Sequence, residues 1–294
     1  VGNLYEEVTD CIVAALEAGV PPWTKPWSLT PGLNIPCNAV TRCAYSGVNV
    51  LLLWLAHSNG WQTPRFLTFK QAIEAGGHVR KGEHGTRIYF VKDLKFKEVG
   101  ANSDDDDERH VRMLKQYVVF NVAQCDDLPA GITNPPPPKP RHHDARDPVV
   151  EEFLTATGAQ VRDGANKASY IVAADRIEMP LFTAFDSGAT YYTALFHELG
   201  HWTGAKHRLD RDFSNRFQPK HQYAAEELVA EITSAFSCAE FSIDSGIEHA
   251  SYIGGWIDLL RSDSRAIFTC ASRAQAAVDY LRDLVLREPA QAAE

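Results

Sequence analysis

Apolar positions along this chain recur at helical spacing in some stretches and alternate in others. Leu4, Val8, Cys11, Ile12, Ala15 and Leu16 line one helical face, which Gly19 closes. Val48, Leu51, Leu52 and Leu55 predict a second helix over 47–58, and Thr68 is placed to cap a short one that Gly76-Gly77 stops. Residues 65–69 read as extended. The partly alternating segment 87–97 and the more apolar 115–122 predict two strands. Beyond residue 148 the periodicity turns mostly helical: 149–157, 190–204, 221–243, 251–262 and 271–287, with short extended pieces at 169–173 and 176–180. The fold class is therefore α+β, a mixed α/β first half followed by a mostly helical half with a small sheet.

Between the halves lies Pro135–Pro138 with Pro140, a composition that favours an extended linker. The predicted division is 1–128, a linker over 129–148, and 149–294. His142-His143 within the linker reads as solvated, and Asp104–Asp107 with Glu108 as a disordered hairpin tip. With 45% apolar and 23% charged residues, the 294-residue chain has the make-up of an ordinary globular protein with room for two cores. Six scattered cysteines without a C-x-x-C pair fit neither a disulfide framework nor a zinc ribbon; they read as reduced, mostly core-filling thiols. No secretory signal and no bilayer-spanning run is visible, so a cytoplasmic protein without a membrane partner is expected.

The densest chemistry is His197-Glu198-Leu199-Gly200-His201, an H-E-x-x-H inside the helix predicted over 190–204, with Thr190 as its cap and Gly204 as its end. Residues four apart share a helix face, so both imidazoles reach one metal ion while Glu198 serves as general base. A third ligand is needed. Glu227 is favoured, on the helix opened by Tyr223-Ala-Ala-Glu226-Glu227 and running through Glu231; Glu231 and then His207 are the alternatives. His207 would complete the long metzincin signature, but that family needs a later methionine, and Met113 and Met179 both precede the motif. Zinc is the default ion, with manganese or cobalt accommodated by two imidazoles and a carboxylate. Tyr191, Tyr252 and His249 are candidates for stabilising an oxyanion. The strand at 176–180 lies where zinc proteases often pair with substrate.

A net charge of −9 speaks against nucleic acid coating the whole surface, but not against a local basic patch. Such a patch exists: from Trp61 to Lys97 eight cations face three carboxylates, with aromatic residues interspersed. Cations for phosphates and flat rings for unpaired bases are the ingredients of single-strand binding. The candidates are Trp23, Lys25, Trp27, Tyr45, Lys70, Arg80, Lys81 and Arg87. The competing reading makes the rings core and the cations a solvated face.

Several segments together resemble a known family. The pieces 22–26 (P-W-T-K-P), 38–54, 66–75, 79–85 and 119–124 (V-F-N-V-A-Q) resemble the N-terminal domain of ArdC-type antirestriction proteins, also present in plasmid primases and phage polyvalent proteins. The pieces 175–180 (D-R-I-E-M-P), 192–204, 208–211 (R-L-D-R) and 223–231 resemble the zincin-like domain joined to it. The resemblance implies a conjugative-plasmid protein that binds single-stranded DNA and shields incoming DNA from restriction. It implies a metallopeptidase-like site of His197, His201 and Glu198, with its carboxylate ligand in 223–231. The family pattern has histidine at Ala205 and a small residue at His207, which speaks against His207 as ligand. Three readings follow: a DNA-guided protease acting on an unidentified protein, with the host restriction system one source; a DNA-occluding protein with a structural or vestigial metal site; or a free-standing metzincin-like protease. On the predicted division, residues 1–130 alone should bind single strands.

Overall fold

The computed structural model describes residues 3–23, 35–57, 61, 63–97, 108–133, 145–243 and 250–286. Helix α1 (Leu4–Glu17) begins where the Asn3 side chain accepts from Tyr5 N, and buries Val8, Ile12, Val13 and Leu16. After strand β1 (Cys37–Asn38) come α2 (Val48–His57) and β2 (Arg65–Leu67). Thr68 and Gln71 form a reciprocal capping box that starts α3 (Phe69–Glu74). Then follow β3 (His78–Val79), the long hairpin β4 (Thr86–Lys97) and β5 (Glu108–Asn121), β6 (Cys125–Asp126) and the single turn α4 (Ala130–Thr133). Of the predicted acidic tip, Glu108 instead opens β5 opposite Lys97, while Asp104–Asp107, the prolines at 135–138 and 140, and His142-His143 fall outside the described residues.

The main sheet has the order β1-β2-β5-β4, parallel between β1 and β2 and antiparallel elsewhere; β3 and β6 make a separate pair. In the second half, α5 (Pro148–Thr157) leads into β7 (Gln160–Asp163), β8 (Ser169–Ile171) and β9 (Arg176–Met179), a three-stranded sheet with β9 in the middle. Four α-helices follow among the described residues: α6 (Gly188–Thr203), α7 (Pro219–Glu240), α8 (Ala250–Ser262) and α9 (Ala266–Leu286). The α+β class is as expected. The start of α6 is not: Ser187 is the cap, and Thr190 is its partner three residues in, each side chain bonding the other's backbone N–H.

One hydrophobic core runs through both halves. Ile12, Leu16, Leu53 and Trp54 belong to the same buried cluster as Leu228, Ile232, Leu259 and Ala271. Trp23 packs edge-on against Trp256 at 5.3 Å between centroids, and Trp54 against Phe236 at 5.7 Å. A second cluster, including Val150, Ile177, Tyr192, Phe196 and Leu199, seats α6 on α5 and the small sheet. All six cysteines are free, but only Cys125, Cys238 and Cys270 are buried. Among the described residues no helix is long and apolar enough to cross a membrane.

Candidate metal centre

Helix α6 presents His197 and His201 one turn apart, and α7 crosses it so that Glu227 meets them. The two Nε2 atoms lie 3.2 Å apart; Glu227 Oε2 is 3.5 Å from His197 Nε2, and its Oε1 is 3.7 Å from His201 Nε2. A tetrahedral ion with bonds of about 2.0–2.2 Å sets its ligand atoms about 3.3–3.6 Å apart. The three side chains therefore form a divalent-metal cluster of the right type and span. Burial opposes a charge on His197, yet Glu227 and Glu231, with Glu198 nearby, raise its imidazole to about 10. The same histidines hold the Glu227 carboxyl below its usual range against the effect of burial.

Each imidazole is also oriented from behind. His201 Nδ1 lies 3.1 Å from Glu226 Oε1, and Glu226 is clamped by Arg211, Nε to Oε2 at 2.7 Å and Nη2 to Oε1 at 2.5 Å. Burial would raise the Glu226 carboxyl, but Arg211 and His201 pull it down to about 2. His197 Nδ1 faces Glu231 Oε2 at 3.5 Å. Carboxylates on the outer nitrogens fix ring orientation and make the inner nitrogens better donors. Glu231, an alternative ligand from sequence, thus stands behind a ligand, because one helical turn carries it past the inner nitrogens. His207 stands apart from the cluster: its side chain is 63% exposed and its Nε2 lies 3.2 Å from Asp175.

Glu226 and Arg211 are the contributors that sequence reasoning left without a role. Both lie inside segments that carried the family resemblance. The R-L-D-R segment proves to be two anchors. Arg211 also donates to Gly200 O at 2.7 Å, while Arg208, stacked 3.6 Å over Trp202, donates through Nη2 to both carboxylate oxygens of Asp175 at 2.6 Å.

Glu198 is 8% exposed, and its Oε2 accepts from Tyr170 N at 2.7 Å, so strand β8 holds the carboxylate beside the cluster. These groups open into a cavity of about 710 Å³ that Ser169, Tyr170, Tyr223 and Tyr252 also line. Tyr223 and Tyr252 bring their hydroxyls within 3.4 Å of each other. Tyr191 is elsewhere, buried and bonded to Asp163, and His249 lies outside the described residues. The strand expected to receive substrate, here β9, is paired on both sides, which leaves no backbone groups for a further chain; β7 and β8 are the edges, and β8 is the one at the cavity.

The nucleic-acid candidates scatter. Trp23 is 2% exposed and Tyr45 8%, so neither ring has a face free for a base, and the core reading holds for both. Arg80 pairs with Glu83 and Asp126, Arg87 with Glu7, and Lys70 with Glu74. Lys81 is exposed, and Lys25 and Trp27 lie outside the described residues.

Comparison with known proteins agrees with this architecture. Residues 2–120 match the model for the N-terminal domain of anti-restriction factor ArdC, and residues 148–273 that for a zincin-like metallopeptidase. Protein y4eC of Sinorhizobium fredii is 40% identical, over 95% of this chain and 91% of its own length. The Escherichia coli DNA primase TraC is 36% identical over 94% of this chain, which spans only 27% of that longer protein. Crystal structures of the antirestriction ArdC protein from plasmid R388 superpose closely. The metal-free form is 38% identical with a TM-score of 0.83, over 97% of this chain and 98% of that one. The Mn(II)-bound form is 37% identical with a TM-score of 0.78, over 97% and 99%. With y4eC and the R388 protein matched over more than nine-tenths of both chains and the His197–His201–Glu227 cluster in place, the chain belongs to the ArdC family of antirestriction proteins.

Proposed function

We propose that this protein shields incoming plasmid DNA from host restriction by holding single-stranded DNA and hydrolysing a peptide bond in a protein partner. The observation that carries the hydrolytic part is Glu198, adjacent to a three-ligand cluster in an open cavity. A structural site would be closed by a fourth protein ligand and would need no base. A divalent ion held by His197, His201 and Glu227 supplies Lewis acidity toward a carbonyl and toward water. Glu198, with Oε2 held by Tyr170 N, takes the proton of the attacking water at its other oxygen and returns it to the leaving amine. Tyr223 and Tyr252, which line the same cavity, are the donors we assign to a developing oxyanion. Zinc suits this donor set, and so does the manganese carried by the R388 relative. Single-strand binding draws its support from the match of residues 2–120 and from the primase relative.

The test is restriction escape of incoming plasmid DNA in recipients making wild-type protein or Glu198→Gln at matched levels. Loss of protection, with metal content and DNA binding retained, is expected. Full protection by the variant assigns the effect to occlusion of DNA, with the metal site playing no hydrolytic part.

A further inference from the structure

Two exposed aromatic rings sit together on the β4–β5 hairpin. Phe90 is 45% exposed and Tyr117 46%, with centroids 5.6 Å apart at 76°. In an antiparallel pair, directly opposed residues share a face, as do residues two apart along a strand. Phe90 opposes Lys115 and Ile88 opposes Tyr117, so Phe90, Lys115 and Tyr117 lie on one face. Ile88 and Val119, next along it, are buried, so the face leaves the core at the two rings. Lys115, directly opposite Phe90, is the cation beside the rings.

In a chain of net charge −9, a lysine beside two exposed aromatic rings is complementary to a polyanion that carries flat apolar groups. We infer that Phe90 and Tyr117 are the base-stacking platform of the single-stranded DNA site, with Lys115 against the phosphates. The inference rests on the single-strand binding proposed above and names the surface responsible. Unpaired bases expose their faces to such rings, while bases in a duplex are already stacked on each other. The cations expected from sequence fit less well: Arg80, Arg87 and Lys70 each face a carboxylate of this chain.

The test uses the full chain and a labelled oligothymidylate, read by fluorescence anisotropy, beside a duplex of equal length. Phe90→Ala and Tyr117→Ala should each weaken single-strand binding about tenfold, equivalent to ~1.4 kcal/mol. Tyr117→Phe should bind as wild type does. Phe90→Leu and Tyr117→Leu keep apolar bulk without a ring and should lose as much as the alanine variants, which separates stacking from folding. Lys115→Gln should flatten the salt dependence by about 0.7 in log–log slope. Wild-type protein without single-strand affinity overturns both the inference and the reading beneath it. A binding wild type with unaltered ring variants overturns the inference alone. So does a wild-type dimer that the alanine variants convert to monomer, because the face is then a contact between copies.

Discussion

Gly200 lies in the middle of the histidine motif, where the backbone of α7 presses against α6. A Cβ added there meets Ala230 Cα at 2.8 Å and Ala230 Cβ at 3.3 Å. Non-bonded carbons rest about 3.5–4.0 Å apart, so Gly200→Ala drives the helices apart by about 0.7–1.2 Å. Ala230 is less than one turn beyond Glu227, and the carboxylate moves with it. Metal–ligand distances tolerate only about 0.2 Å. Overpacking of this kind costs about 1–3 kcal/mol, which for a chain of this size lowers the melting temperature by roughly 2–10 °C. Metal affinity should fall by about 10–100-fold, the range known for losing a ligand's outer partner. Calorimetric titration of zinc or manganese into metal-stripped protein reads the second effect, and thermal melts read the first. Gly254→Ala on α8 is the control: nothing lies within 4 Å of its added methyl, so helix propensity leaves stability unchanged or higher. A Gly200→Ala protein with wild-type melting and metal affinity would refute the close approach and the claim that it delivers Glu227.

Glu226→Gln removes the charge behind His201 and leaves the Arg211 guanidinium without its carboxylate. Metal affinity should drop about 10–100-fold by titration, while Glu198→Gln should leave it near wild type. Metal uptake should also compete with a proton. The His197 imidazole, pushed down by burial but raised to about 10 by Glu227 and Glu231, carries a proton at neutral pH in metal-free protein. A metal ion must displace it, so apparent affinity should rise about tenfold per pH unit from about pH 6 to 8. The sign for stability runs the other way. A raised imidazole stabilises the metal-free fold fully below its ordinary value near 6.5 and loses that contribution as pH climbs through about 10. A flat affinity profile over those two pH units would show that His197 is already neutral there.

The histidine pair was legible because two independent constraints coincide in one short stretch: helical periodicity and a ligand spacing of four. Glu227 was legible because a helix carrying glutamates one turn apart returned after a loop of suitable length. Glu226 escaped because neighbouring glutamates on a helix point about 100° apart, and only the crossing of α6 and α7 decides which meets an outer nitrogen. Trp23 and Tyr45 show the limit in the other direction. A ring near lysines has the same sequence signature whether it stacks on a base or fills a core, and its burial depends on Trp256, more than two hundred residues away. Strands β8 and β9 were legible as short extended pieces, but β7 was not, nor was the order that sets β9 between the other two. Pairing order is set by non-local closure rather than by local alternation.

The shared core changes what the first half can do alone. Trp23 rests on Trp256, Trp54 on Phe236 and Tyr89 on Phe268, and all three first-half rings are less than 9% exposed. Helix α7 is the common wall: Glu227 and Glu231 serve the metal site, while Leu228, Ile232 and Phe236 belong to the cluster that holds α1 and α2. Severing the chain after residue 130 exposes those three rings. At about 1.5–3 kcal/mol for each large side chain, the loss is roughly 5–9 kcal/mol, against a whole-domain stability of about 5–15 kcal/mol. The fragment 1–130 should therefore lack a cooperative melt and bind a hydrophobic dye such as ANS. Supplying residues 145–294 in trans should restore the melt. A fragment that melts cooperatively on its own and binds single strands as the full chain does would show that the α7–α9 contacts are dispensable. The metal helix would then be a lodger on the first half's surface rather than part of its core.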